Sequence, residues 1–104
     1  MRLIAKLACC AALAAPMTAA AAEIDCGKAR GADETAICEN RSLLVLDERL
    51  ADAMVFATAD MSAPDRKKLD REQLDWVKKR KSCGADPACL EETYLDRITE
   101  LEGH

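Results

Sequence analysis

The chain has 104 residues, half of them hydrophobic, and its 19 acidic residues outnumber 15 Lys and Arg for a net charge of −4. That length allows one small domain. The acidic balance argues against nucleic acid or anionic lipid as a partner and favours a basic one.

The N-terminus carries Arg2 and Lys6, an apolar run from Leu7 to Ala15, then Pro16 and the small-residue tract Thr18 to Ala22. Positive charge, a short apolar core and an Ala-x-Ala exit are the parts of a cleavable secretory signal too short to span a bilayer. Residues 1–22 are expected to be removed, leaving residues 23–104 as one domain beginning at Glu23. The domain is expected in the periplasm or secreted, with no membrane insertion after cleavage. Cys9 and Cys10 fall inside the leader. Cys10 follows Leu7-Ala8-Cys9 with almost no apolar run before it, whereas a lipid-modified cysteine follows a full apolar core, so both read as ordinary apolar members of the leader. Export implies an oxidising compartment, and the four remaining cysteines (Cys26, Cys38, Cys83 and Cys89) then read as two disulfides.

Along the mature region nothing alternates with period two, and helical spacing recurs throughout. Residues 23–32, with Gly27 and Gly31, read as an irregular arm. Asp33 is placed to cap a short helix through Cys38, with Ala36 and Ile37 as its apolar residues. Asn40 or Ser42 then starts a longer helix over roughly 41–59, its inner face made of Leu43, Leu46, Leu50, Ala53, Met54 and Ala57. Ser62-Ala63-Pro64-Asp65 combines a capping serine, a first-turn proline and an acid at the positive helix end. That helix is expected to reach Ser82 and stop at Gly84. Asp86-Pro87 repeats the start signal for a last helix through about Leu101. The fold class is therefore all-α: a small bundle of three main helices plus a short N-terminal helix, stapled by two disulfides.

On the third helix Leu69, Gln73, Trp76, Arg80 and Cys83 are spaced four, three, four and three, which makes one stripe along one face. Leu90, Tyr94, Arg97 and Leu101 form a similar stripe on the fourth, with Ile98 beside it. Gln73 and Arg80 stand where a plain core would use leucine, so they need hydrogen-bond partners or a route to the surface along their stems.

These residues belong to a longer pattern: Asp25-Cys26, Thr35-Ala36-Ile37-Cys38, Leu46-Asp47-x-x-Leu50, Gln73-x-x-Trp76, Arg80-x-x-Cys83, Cys89-Leu90 and Tyr94-x-x-Arg97. In order and spacing it resembles the LprI-type lysozyme inhibitor family of small exported four-cysteine bacterial proteins. The resemblance covers nearly the whole mature chain. It implies an all-helical, disulfide-linked domain whose function is to bind and block a lysozyme-type muramidase. Asp47, Gln73, Trp76, Arg80, Tyr94 and Arg97 are the family-motif positions. One departure falls on the second helix, where the family commonly has an aromatic and this chain has Met54 or Val55; Phe56 is the residue that could fill that role.

Cys26–Cys38 and Cys83–Cys89 are the expected pairs, because each joins adjacent elements; the other two pairings stay open on sequence alone. Trp76 reads as a core anchor, and Gln73, Arg80 and Arg97 as a buried polar network, with Asp47 a candidate partner for Arg80 and Arg97. The run from Asp65 to Lys81 alternates acids and bases and reads as a solvated face. Catalysis has no visible machinery: the sole histidine is the terminal His104, and neither a free thiol nor a phosphate-cradling loop is expected. The chain thus reads as a non-enzyme without cofactor or metal, whose partner is a protein, a basic lysozyme on the family reading. Glu91 and Glu92, beside the second staple, are the candidate contact residues. The alternative function is a structural or interaction module of the cell envelope with no muramidase target.

Overall fold

Three of the four helices start where the sequence supplies a capping side chain. The computed structural model describes residues 23–103, so the expected leader 1–22, with Cys9 and Cys10, and the terminal His104 lie outside the described residues. A one-turn 3-10 helix at Cys26–Lys28 leads into α1 (Gly31–Cys38), α2 (Arg41–Thr58), α3 (Ala63–Ser82) and α4 (Pro87–Glu102). Asn40 Oδ1 accepts from the Leu43 amide, Ser62 Oγ from the Asp65 amide, and Asp86 Oδ1 from the amides of Ala88 and Cys89. Each cap satisfies amides that a helix start otherwise leaves open. Pro64 and Pro87 sit in the first turns of α3 and α4, where a missing N–H costs nothing. Gly84, at φ 60°, ends α3 in the left-handed conformation that glycine adopts without strain.

The N-terminal arm departs from expectation. Its residues are not irregular throughout: the 3-10 turn is capped by Asp25, and α1 already begins at Gly31. Asp33 is not the cap. Arg30 occupies that position without a side-chain cap, and its amide donates instead to Glu34 Oε1 at 2.9 Å. Asp33 turns inward from the first turn and is buried.

The core joins Ile37 of α1, Leu43, Leu46, Leu50, Ala53 and Met54 of α2, Leu69 and Trp76 of α3, and Leu90, Tyr94, Ile98 and Leu101 of α4. Fully burying one such side chain stabilises by roughly 1.5–3 kcal/mol. Ala57 packs against this cluster while only half-buried. α2 and α4 form the main helix pair, and α3 packs on α4 and on α1. Disulfides join Cys26 to Cys38 and Cys83 to Cys89, each with Cα atoms 5.6 Å apart. The first ties the 3-10 turn to the end of α1, and the second ties the end of α3 to the start of α4. A helix of eight residues is marginal alone, so α1 depends on that cross-link and on its inward contacts.

Phe56 does not fill the aromatic position. It is 77% exposed, and Val55 is 71% exposed, while Met54 takes the buried site. The reason is rotational: two residues on from Met54 is about 200° around the helix, which turns Phe56 away from the core.

Candidate functional site

Asp47, Gln73, Trp76, Arg80, Tyr94 and Arg97 are all buried, and they sort into three polar clusters. In the first, Arg80 Nε donates to Asp33 Oδ2 at 2.7 Å and Nη2 to Glu34 Oε2 at 3.3 Å. The Arg80 guanidinium carbon lies 5.6 Å from the centre of the Trp76 ring, within range for a cation–π contact. Trp76 in turn donates its indole N–H to the Thr93 carbonyl at 3.1 Å and meets Tyr94 edge-on, with ring centres 5.2 Å apart. α1 and α3 are thereby locked by a buried ion pair, and α3 and α4 by the edge-on aromatic pair and a hydrogen bond.

In the second cluster, the Tyr94 hydroxyl donates to Asp47 Oδ1 at 2.8 Å, and the Ile24 amide donates to Asp47 Oδ2 at 2.8 Å. Asp47 thus pins the N-terminal arm and α4 to α2. Burial pushes its carboxyl above the ordinary aspartate range, and the bonds from Ile24 and Tyr94 partly offset that push. Burial and the neighbouring Asp47 charge hold the Tyr94 phenol far above the ordinary tyrosine range. The expected pairing of Asp47 with Arg80 or Arg97 is not formed. Arg80 is drawn to the carboxylates of α1, and Arg97 to side chains of α3 and of its own helix.

In the third cluster, Arg97 Nε donates to Gln73 Oε1 at 3.0 Å and Nη1 to Glu100 Oε1 at 3.0 Å. Gln73 Nε2 and Arg97 Nη2 are buried without a partner among the described residues. A cleft of about 510 Å³ opens beside them between α3 and α4, lined by Glu72, Asp75, Trp76, Lys79, Arg97 and Glu100.

Those clusters hold the helices together, and most of the remaining charged side chains lie on the outer faces. Glu91 and Glu92 are exposed on the first turns of α4, next to the Cys83–Cys89 staple. Asp96 and Glu102 continue the same outer face around Leu95, which is 40% exposed. The only cation of α4, Arg97, is buried on the opposite side. The result is a carboxylate face without a compensating basic residue of its own helix. α3 differs: its exposed residues include Lys67, Lys68, Arg71, Lys78, Lys79 and Lys81. Asp65, Asp70 and Asp75 are exposed on the same helix, so its outer surface carries both signs with cations in excess.

Every described cysteine is in a disulfide, and the described residues contain no cluster of three or more metal-ligating side chains. No helix among them is long and apolar enough to cross a membrane. Comparison with protein-family models, with curated proteins and with solved structures finds no significant match.

Two features escaped the sequence analysis. Asp33 and Glu34 hold Arg80, and the signal available was Asp33 lying four residues before Ile37, on the same face of α1. The excess of exposed cations on α3 was legible too, by placing its charged residues around the helix instead of along it.

Proposed function

We propose that the chain is an exported inhibitor of a lysozyme-type muramidase, which presents the acidic outer face of α4 to a basic enzyme. The LprI-type pattern in the sequence supports this reading, and the observation that carries it is that α4 face. Glu91, Glu92, Asp96 and Glu102 surround Leu95 on a helix held by a disulfide at one end and by core residues along its inner side. A rigid acidic face costs little ordering entropy on binding and steers a basic partner by long-range attraction. The buried motif residues make the scaffold, and function lies on what the scaffold displays.

Association kinetics with a basic lysozyme test this reading. The association rate should fall as salt rises, because screening shortens the Debye length to about 8 Å at physiological ionic strength. A complex that forms without salt dependence would take the acidic face out of the mechanism. The absence of any complex would favour the envelope-module function instead.

A further inference from the structure

A second stripe runs along α3 on the side away from the core. Lys67, Arg71, Leu74, Lys78 and Lys81 are spaced four, three, four and three, the same rhythm as the buried stripe Leu69, Gln73, Trp76, Arg80 and Cys83. The two are offset by two residues, about 200° around the helix, so the second stripe faces outward. All five of its residues are exposed, and four are cations. Leu74, at its centre, is 65% exposed. A shallow recess beside it is lined by Arg71, Leu74, Asp75, Val77 and Lys78, and Asp75 is the one carboxylate there. The remaining acids of α3 lie toward the flanks, and Asp70 is occupied by Arg66 at 3.4 Å.

We propose that this outer stripe of α3 docks flat on a surface of anionic phospholipid headgroups. From Lys67 to Lys81 the helix presents a row about 21 Å long, matched to an extended charged plane rather than to a single pocket. Three of the four cations in the row are lysines, compact point charges suited to a diffuse anionic layer; arginine forks serve bidentate recognition of one group. Leu74 and the recess add the apolar contact that an interfacial helix sets among its cations. A nucleic acid strand fits less well, because the stripe offers no aromatic side chain on which a base could stack. The net negative charge of the chain describes the whole molecule, whereas screening confines repulsion at the contact to carboxylates within about 8 Å. Docking of this kind is adsorption and inserts no segment into the bilayer.

The test is co-sedimentation of the protein, as cells release it and with its N-terminus fixed by intact mass. One set of vesicles is phosphatidylcholine alone, and the other mixes phosphatidylcholine with phosphatidylglycerol. Binding should require the anionic lipid and fall with salt. Each cation near such a surface contributes about a fivefold factor, so Lys78→Gln with Lys81→Gln should weaken binding roughly 25-fold. The control Arg41→Gln with Arg49→Gln removes two exposed cations from α2 and should change binding little. All arms carry the same N-terminus, so the comparison isolates the face. Equal binding to both vesicle types, or equal losses from the two double variants, overturns the proposal. Tighter binding to single-stranded DNA than to the anionic vesicles at the same salt also overturns it, and reassigns the stripe to a polyanionic chain.

Discussion

Arg80 reaches across 47 positions of sequence to place its Nε 2.7 Å from Asp33 Oδ2, with both side chains buried. Removing one member leaves the other charge buried and unpaired, which typically costs about 3–5 kcal/mol. Arg80→Met should therefore destabilise strongly in urea unfolding. Adding Asp33→Asn should recover part of the loss, giving a double-mutant coupling of about 0.5–3 kcal/mol. Arg66→Met breaks only the exposed pair with Asp70 and should change stability by less than about 1 kcal/mol. Equal effects from Arg80→Met and Arg66→Met would contradict the lock between α1 and α3.

Tyr94 is the only tyrosine in the chain, so its ionisation can be followed without interference. Its folded-state pKa is raised above the ordinary 10.0, and the unfolded chain therefore releases this proton first as pH rises. The stability it supplies is full below that value and is lost progressively above it. Tyrosinate absorbance should appear only together with loss of helical circular dichroism, and Tyr94→Phe should remove that alkaline step. Asp47 follows the same sign: raised above 3.8, its protonation favours the folded state below that value, and the advantage fades as pH climbs through the raised pKa. An NMR titration of the Asp47 carboxyl should give a midpoint above the ordinary value. A freely titrating Tyr94 in the folded protein would overturn this picture.

Phe56 and Leu50 share α2 but should respond very unequally to truncation. Phe56 is largely exposed, so Phe56→Ala should move stability by no more than about 0.5 kcal/mol. Leu50 is fully buried, and Leu50→Ala should cost about 2–5 kcal/mol. Thermal unfolding of the two variants decides between this arrangement and one with Phe56 in the core.

Helix positions were legible because α2, α3 and α4 each begin with a capping side chain near an amphipathic run, at Asn40, Ser62 and Asp86. The stripes on α3 and α4 predicted burial of Leu69, Gln73, Trp76, Arg80, Tyr94 and Arg97, since spacing of three and four fixes a face. Partner choice among those residues was not legible. Asp47, Asp33 and Gln73 are all chemically able to receive an arginine, and only the packing of α1 against α3 selects Asp33 for Arg80. Phe56 misled because aromatic character suggests burial while its angular position forbids it. The cation row of α3 was hidden by sequence alternation, because it emerges only when residues three and four apart are placed on one side of the helix.

Both staples should be recoverable by non-reducing peptide mapping as Cys26–Cys38 and Cys83–Cys89. They close loops of 12 and 6 residues in sequence separation, for which chain entropy predicts about 2–3 kcal/mol each. Cys26→Ser with Cys38→Ser should lower the unfolding midpoint and speed amide exchange first in the arm around Ile24, because the Asp47 bond and the packing of Ile24 on the core then hold that arm without the cross-link. A Cys26–Cys89 link in the map would require a different placement of the arm.

The central claim, that an acidic face of α4 blocks a basic muramidase, is tested most directly by titrating peptidoglycan lysis with the oxidised protein. The account predicts loss of lysis near one equivalent, weakened by Glu91→Gln with Glu92→Gln more than by Asp65→Asn with Asp70→Asn on α3. The four acids are exposed, so both double variants should stay folded. Full lysis by a basic lysozyme in the presence of a stoichiometric excess of folded, oxidised protein would contradict it.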